Sequence, residues 1–246
     1  MADATLRVMR TVTSVEVLLD RPAARNAINQ AMVDELHAVC DDLQQHPAVL
    51  ILGGTGGVFA SGADIAELRD RRAADALAGI NTGLFDRIAT LPMPVIAALD
   101  GFALGGGAEL AYAADFRIAS TSLRIGNPEP TLGIIAAAGA SWRLRDLVGE
   151  PLAKEILLAG RILTADEALA AHLVTEIHPA ERLLDAARGL AGRILRGEPA
   201  ALQATKRVFA AARSEHPRVD LEEQAVLFES AEKTARMTAF LEGRRS

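Results

Sequence analysis

The chain has 246 residues, of which half are apolar and 24% are charged, and its formal net charge is −6. This length suits one globular domain, with or without a helical appendage, and the composition excludes intrinsic disorder and collagen-like structure. The acidic balance argues against nonspecific binding to nucleic acid or to a membrane surface, although a local basic rim can still bind an anionic ligand.

Cysteine usage and apolar runs indicate the cellular setting. One cysteine, Cys40, permits no internal disulfide and no cage of cysteine ligands. Residues 1–20 show no basic start followed by an apolar run, and no window reaches the roughly 18 consecutive apolar residues that a membrane span requires. We therefore expect a cytoplasmic protein without a signal peptide or a membrane span.

Apolar periodicity predicts alternating strands and helices over the first three-quarters of the chain. Strands are predicted at residues 5–8 and 14–19, which form a hairpin, and at 49–53, 94–100, 115–119, 123–126 and 173–177. Helices are predicted at residues 30–44, 64–72, 74–90, 108–114, 137–148, 151–159 and 165–171, and then, without further strands, at 180–196, 199–213 and 218–242. This order predicts an α/β fold with largely parallel pairing, followed by a helical tail that serves as a lid, an oligomerisation element, or both.

Two glycine-rich turns each lead from a predicted buried strand into a helix. The first is Phe59–Ile65 and the second is Gly105–Glu109. The first N–H groups of a helix lack internal partners and carry the positive end of the helix dipole, so each turn can donate to an oxyanion. If neighbouring strands bring the turns together, they supply two N–H donors to one carbonyl oxygen. Taken alone, either turn also fits an ordinary strand-to-helix connection.

Two carboxylates stand out from their surroundings. Glu109 lies in residues 103–114, where the other side chains are small or apolar, and lone glutamates are seldom buried without a role. Glu129 lies between Pro128 and Pro130, whose fixed backbone can aim its side chain, although a solvated loop carboxylate fits this position too. Dinucleotide-binding, P-loop and serine-hydrolase motifs do not occur, and the five histidines are scattered, so we expect no metal site.

Motifs spaced along nearly the whole chain resemble those of the crotonase (enoyl-CoA hydratase/isomerase) family. They are Arg21–Asn29, Phe59–Ile65, Pro94–Leu110, Gly126–Gly133 and Gly160–Val174. The resemblance implies a spiral of repeated β-β-α units with an acyl-CoA site, residues 1–195, followed by a C-terminal helical trimerisation region, residues 196–246. The implied assembly is a homotrimer or a dimer of trimers.

The resemblance also implies a set of site residues. The oxyanion hole would be the N–H groups of Ala63 and Gly106. Contacts with the substrate and its CoA part would come from Ala23, Ala24, Arg25, Ser61, Asp64, Ile65, Ala66 and Gly105. Lys233, Arg244 and Arg245 of a neighbouring subunit are weaker candidates for the CoA phosphates.

Family members with both glutamates are typically 2-enoyl-CoA hydratases, which are hydro-lyases, and this chain has both. The implied reaction adds water to a trans-2-enoyl-CoA thioester to give a 3-hydroxyacyl-CoA, in fatty acid β-oxidation or related acyl-CoA catabolism. Glu129 would donate the proton to C2 and Glu109 would orient the water. No metal or redox cofactor is implied, since CoA is part of the substrate, and neither are nucleic acid or membrane partners. The alternatives are an isomerase or another reaction of the family, a non-catalytic acyl-CoA-binding paralogue, and an unrelated structural α/β protein.

The chain departs from the family pattern in three places. Pro130 stands where an aliphatic residue is common and can reorient the Glu129 carboxylate. Residues 136–142 replace a proline- and glycine-rich stretch, and their methyl groups and Trp142 are expected to narrow or reshape the pocket. Residues 235–236 replace a Glu-Gly pair. We expect these departures to affect substrate range more than reaction type.

Overall fold

The structure is a computed structural model and describes residues 4–243. Within them, the strands are β1 (Leu6–Arg10), β2 (Ser14–Leu19), β3 (Val49–Gly54), β4 (Val95–Leu99), β5 (Phe102–Leu104), β6 (Phe116–Ser120), β7 (Arg124–Gly126), β8 (Leu163–Thr164) and β9 (Glu176–His178). The helices are α1 (Gln30–Gln45), α2 (Ile65–Asp70), α3 (Ala73–Ala78), α4 (Ile80–Ala89), α5 (Gly106–Tyr112), α6 (Arg145–Val148), α7 (Glu150–Ala159), α8 (Ala165–Ala170), α9 (Leu183–Ile194), α10 (Pro199–Ala210), α11 (Arg218–Phe228) and α12 (Ala231–Gly243). The chain divides into two compact units, one ending at Ala191 and one beginning at Gly192. The predicted boundary lies between residues 195 and 196.

The first unit contains a six-stranded sheet in the order β1-β2-β3-β4-β6-β9. The hairpin pair β1 and β2 is antiparallel and the other pairs are parallel. In β4 every residue is buried, as is all of β3 except Gly54. Such continuous apolar strands are typical of a parallel sheet that is covered on both faces. The predicted α/β class is therefore confirmed.

A second sheet, β5-β7-β8, positions the glycine-rich turn before α5. The chain passes from β4 to β5 and then into α5, and from β6 to β7, which repeats a β-β pattern. The parallel strands β5 and β7 end side by side, and the Gly105 N–H donates to the Gly126 carbonyl at 2.9 Å. The second glutamate follows β7 by only three residues, so this pairing brings both glutamate-bearing segments to one edge.

The other glycine-rich turn is joined to the same edge. The Leu104 N–H donates to the Ala60 carbonyl at 3.0 Å, and Ala60 forms a parallel bridge with Ala103. On its other side the turn is tied to the segment before α1, where the Ile28 N–H donates to the Gly62 carbonyl at 2.8 Å. The turn is thus held between two backbone segments.

Several predicted elements differ from the observed ones. The predicted helices 64–72 and 74–90 form three helices, because Gly79 takes a left-handed φ of 62° between α3 and α4. The short strands β5 and β8 are not predicted, and the strand predicted at 173–177 lies at β9 instead. The helix predicted from residue 137 begins at residue 140 with a π-helical turn, Ala140–Leu144.

The second unit is helical, as predicted. The helix predicted at 218–242 is broken between α11 and α12, where Ser230 Oγ accepts a hydrogen bond from the Lys233 N–H at 3.2 Å. Of this unit's described residues only Ala204 is buried.

Within residues 4–243, none of the helices combines the length and the apolar character needed to cross a membrane.

Candidate active site

One cavity of about 650 Å³ lies at the edge where the two glycine-rich turns meet. Seven of the predicted site residues line it: Ser61, Ala63, Ile65, Gly105, Gly106, Glu109 and Glu129. Five others do not line it: Ala23, Ala24, Arg25, Asp64 and Ala66. The fold therefore brings the predicted oxyanion donors and both carboxylates to a single space.

The two predicted oxyanion donors lie close together at the cavity wall. A Cβ placed on Gly106 would lie 3.3 Å from the Ala63 nitrogen and 3.6 Å from Asn81 Nδ2. The Gly106 N–H belongs to the first residue of α5, so it has no partner within the helix. Two N–H groups this close are what the predicted oxyanion hole requires, and their role stays a prediction.

A backbone loop holds the Glu109 carboxylate. Its Oε1 atom accepts hydrogen bonds from the Ala138 N–H at 2.7 Å and the Ala140 N–H at 3.1 Å. The Arg143 guanidinium fixes this loop, since it pairs with Asp86 at 2.5 Å and donates to the Ala138 carbonyl at 3.4 Å. The carboxylate is thereby oriented from one side and open to the cavity on the other.

Burial makes ionisation of Glu109 unfavourable. Its side chain is 3% exposed, and burial raises its pKa from 4.5 to about 7. The Ala140 and Ala138 N–H bonds lower the pKa, whereas the nearby negative charge of Glu129 raises it further. Glu109 therefore changes charge near neutral pH.

The raised pKa of Glu109 makes stability fall as pH rises. Between pH 4.5 and about 7 the folded chain holds a proton that the unfolded chain has released, so stability is full below this range and lost above it. We expect Glu109→Gln to raise the free energy of unfolding at pH 8 by on the order of 3 kcal/mol, and by under about 1 kcal/mol at pH 5. Denaturant titrations at fixed protein concentration measure this difference, with exposed Glu181→Gln as the control. Equal stabilities of Glu109→Gln and the parent at pH 8 contradict the assignment.

Glu129 begins a 3₁₀ turn, Glu129–Leu132, and is 7% exposed. Its Oε1 atom accepts a hydrogen bond from Asn127 Nδ2 at 3.3 Å, while Oε2 is buried and has no partner among the described residues. Burial raises the pKa of Glu129, which favours a protonated carboxyl. Pro130 occupies the second position of the turn, where its fixed φ is compatible with the geometry.

The remaining predicted contact residues have structural partners. The Ser61 N–H donates to the Arg25 carbonyl at 3.0 Å, which ties residues 23–25 to the rim beside the cavity. Asp64 is the N-cap of α2, because Oδ1 accepts from the Ala66 N–H at 3.1 Å, and Oδ2 pairs with Arg21 at 3.1 Å. Their contacts with CoA remain predictions.

Two groups of residues expected at the periphery of the site are the altered loop with Trp142 and the basic residues near the C-terminus. In the altered loop 136–142, Ala137 and Ala138 line the cavity, as expected of its methyl groups. Trp142 is 44% exposed and does not line it, so the part of the prediction that concerns Trp142 is wrong. The Arg143 guanidinium lies over the Trp142 ring instead, with its Cζ atom 5.3 Å from the ring centre. Lys233 Nζ lies 5.4 Å from the ring centre of Phe228, and Arg244 and Arg245 fall outside the described residues.

Sequence reasoning misses three asparagines near the site. Asn26 is fully buried and donates to the carbonyls of Thr55 and Val58, which holds the segment that leads into the first glycine-rich turn. Asn127 contacts Glu129, and Asn81 lines the cavity with its Oδ1 atom unpartnered among the described residues. Position within the matched motifs marks Asn26 and Asn127, whereas nothing in the sequence marks Asn81.

Comparison with known proteins places this site in context. The family model described as enoyl-CoA hydratase/isomerase matches residues 10–246. A 2,3-dehydroadipyl-CoA hydratase of Escherichia coli is 40% identical over 195 residues, covering 78% of this chain and 76% of the relative. A crotonyl-CoA hydratase of Syntrophomonas wolfei is 36% identical over 241 residues, covering 93% and 91%. The crystal structure of an enoyl-CoA hydratase from Bacillus anthracis superposes with a TM-score of 0.92 at 29% identity, covering 97% and 96%. The chain therefore belongs to the enoyl-CoA hydratase/isomerase family.

Proposed function

We propose that the protein is an enoyl-CoA hydratase, a hydro-lyase that converts trans-2-enoyl-CoA thioesters into 3-hydroxyacyl-CoA. One observation carries the proposal: two buried carboxyl groups, Glu109 and Glu129, line the same cavity as the N–H groups of Ala63 and Gly106. Hydration needs an acid, a base and a group that stabilises the thioester enolate, and this cavity supplies all three.

The N–H pair activates the substrate. The thioester oxygen binds between Ala63 and Gly106, where negative charge accumulates as the enolate forms. Preorganised backbone donors stabilise that charge without reorganising during the reaction. Polarisation of the thioester leaves C3 electron-poor and therefore open to attack by water.

The two glutamates move the protons. Glu109 takes a proton from water as the water oxygen bonds to C3, and Glu129 gives its proton to C2. The product has gained one water, Glu109 is protonated and Glu129 is ionised. Proton exchange through solvent restores the starting state, so the reaction as proposed needs no metal or redox cofactor.

We propose the division of roles that the family resemblance implies, and the hydrogen bonds are compatible with it. Two backbone N–H groups donate to Glu109 Oε1, and such donors favour the ionised form, which suits a base. Glu129 accepts a long hydrogen bond from the Asn127 amide and one from its own backbone N–H, but burial outweighs both and raises its pKa, which suits a proton donor. The negative charge of either group favours protonation of the other, so one acid and one base coexist.

The cavity wall suits an acyl chain. Apolar side chains of Ile65, Leu68, Ile80, Leu132 and Ile134 line it beside the carboxylates. A trans-2-enoyl chain buries its methylene groups against such a wall, with a gain of about 0.8 kcal/mol per buried CH₂. Crotonyl-CoA, the substrate in the name of the S. wolfei relative, is the shortest probe, and longer esters report how far the wall extends.

The deciding experiment follows loss of the conjugated enoyl-thioester absorbance after purified protein meets crotonyl-CoA and longer trans-2-enoyl-CoA esters. Turnover is expected for at least the short esters. Tight binding of the esters without turnover would favour a binding protein, and conversion of 3-enoyl-CoA without hydration would favour an isomerase. Failure to bind any CoA ester would remove the proposal altogether.

We also propose that the chain forms a homotrimer or a dimer of trimers through its C-terminal helices. These helices expose large apolar side chains in the described chain, with Phe209 at 91%, Val226 at 71% and Phe240 at 60%. Apolar surface of this kind is typical of interfaces between subunits. We expect a native mass of three or six times the chain mass of 26.0 kDa by light scattering, and a monomer would contradict the proposal.

We further propose a cytoplasmic location. The one cysteine, Cys40, is buried, and burial raises the pKa of its thiol to about 11. Such a thiol packs as a small hydrophobic group. A chain with one cysteine forms no internal disulfide, which fits a reducing compartment.

A further inference from the structure

Tyr112, Asn127 and Glu129 form a hydrogen-bonded network of buried polar side chains. The Tyr112 hydroxyl donates to Asn127 Oδ1 at 3.0 Å. Asn127 Nδ2 in turn donates to Glu129 Oε1 at 3.3 Å and to the Gly105 carbonyl at 3.4 Å. Asn127 is fully buried and Tyr112 is 3% exposed, and the proposed hydration steps use neither of them.

Only one assignment of donors and acceptors satisfies every hydrogen bond of this network. The Gly105 carbonyl can only accept, so the NH₂ side of the Asn127 amide must face it. The amide oxygen then faces Tyr112, whose hydroxyl must donate. Burial raises the pKa of Tyr112 above its usual range, which keeps the hydroxyl protonated. The Asn127 side chain is therefore fixed in one orientation by groups on both sides.

This fixed amide touches two parts of the site. It bonds the carbonyl of Gly105, the residue directly before the oxyanion donor Gly106, and it bonds the carboxyl of Glu129. A Cβ on Gly105 would lie 3.2 Å from Glu129 Oε1, so the turn and the carboxyl are in close contact. Asn127 therefore links the position of the acid to the position of the oxyanion hole.

The same contact separates the two oxygens of Glu129. Oε1 accepts from Asn127, whereas Oε2 is buried without a partner among the described residues. Rotation of the carboxyl would break the amide contact. Asn127 therefore sets which carboxyl oxygen faces the glycine-rich turn.

We propose that Asn127, held by Tyr112, is a positioning residue that fixes the orientation of the Glu129 carboxyl relative to Gly105 and Gly106. This inference rests on the proposed role of Glu129 in hydration. Neither residue touches the reacting atoms, and both act through the carboxyl. A displaced acid lowers the rate of proton transfer more than it weakens substrate binding.

Kinetics of two variants test the proposal. Asn127→Ala is expected to lower kcat for crotonyl-CoA about 10- to 100-fold with KM within about threefold. Tyr112→Phe keeps the ring and is expected to lower kcat about three- to tenfold, since only one hydrogen bond is lost. Ser120→Ala is the matched control, because Ser120 is fully buried and hydrogen-bonded but does not line the cavity. It is expected to lower stability without changing kcat.

A double-mutant cycle separates positioning from general loss of structure. In a Glu129→Gln background no acid remains to be oriented, so adding Asn127→Ala is expected to cost less than about threefold in residual rate. If the rate loss in the double variant equals the product of the losses in the two single variants, Asn127 acts on the fold and not through Glu129. That result overturns the proposal.

A substrate-free readout distinguishes this inference from the proposed function. Infrared difference spectra between the parent chain and Glu129→Gln report ionisation of the Glu129 carboxyl. Asn127→Ala removes a donor to the ionised form and is expected to raise the pKa of Glu129 further. An unchanged pKa overturns the inference whatever the activity. Absence of hydration by the parent chain overturns the proposed function instead, and the infrared shift then still supports the coupling between Asn127 and Glu129.

Discussion

Glu129→Gln is expected to lower kcat for crotonyl-CoA hydration by about 10²- to 10⁴-fold, the usual contribution of a positioned acid or base. Glutamine has nearly the same shape, and its amide oxygen can still accept the hydrogen bond from Asn127. Its amide cannot give a proton to carbon, so the chemistry is lost while the architecture stays. We expect KM to stay within about threefold and the native mass to be unchanged.

The control for this variant is Glu181→Gln, an identical chemical change at an exposed position outside the cavity. It is expected to match the parent chain in every kinetic constant. If Glu129→Gln still binds crotonyl-CoA but no longer lowers the enoyl-thioester absorbance, the result supports the acid role. Turnover close to that of the parent chain would falsify the assignment of Glu129 and would direct attention to Glu109 as the sole catalytic carboxyl.

The long elements of this fold are predictable from local sequence, and the short ones are not. The fully apolar strands β3 and β4 and the amphipathic helix α1 have periodicities that extend over five residues or more. Strands β5 and β8 have three and two residues, too few to show a period, and their pairing depends on β7. The division of α3 from α4 depends on one left-handed glycine in a sequence that otherwise favours helix.

The candidate site divides in the same way. Glu109, Glu129 and the two glycine-rich turns are detectable because each is unusual for its immediate surroundings or matches a motif. The contacts that tune them are long-range: the Ala138 and Ala140 N–H groups are 29 and 31 residues away from Glu109. The Tyr112 partner of Asn127 is 15 residues away on another element. No local pattern specifies such pairs, because they exist only once the sheet has placed the segments together.

Gly106→Ala tests the oxyanion hole with one methyl group and is expected to lower kcat/KM by about 10²- to 10³-fold. The added Cβ would lie 3.3 Å from the Ala63 nitrogen, within the space where the thioester oxygen must sit 2.7–3.1 Å from its donors. The backbone of Gly106 does not have a left-handed φ, and alanine favours the helix that begins there. The new methyl group requires the Ala63 backbone to shift by a few tenths of an ångström, so the free energy of unfolding is measured beside the kinetics.

Two comparisons make the Gly106→Ala result interpretable. Gly83→Ala makes the same change within α4, where the new methyl group meets open space, and it should leave kcat/KM unchanged. Free CoA has no thioester oxygen, so its affinity should be the same for Gly106→Ala and the parent chain. A loss of turnover with unchanged CoA affinity locates the defect at the thioester oxygen, between Ala63 and Gly106.

If Gly106→Ala retains turnover within a few-fold of the parent chain, the oxyanion must be stabilised elsewhere in the cavity. The Asn81 amide, whose Nδ2 atom would lie 3.6 Å from the new Cβ, then becomes the group to remove next.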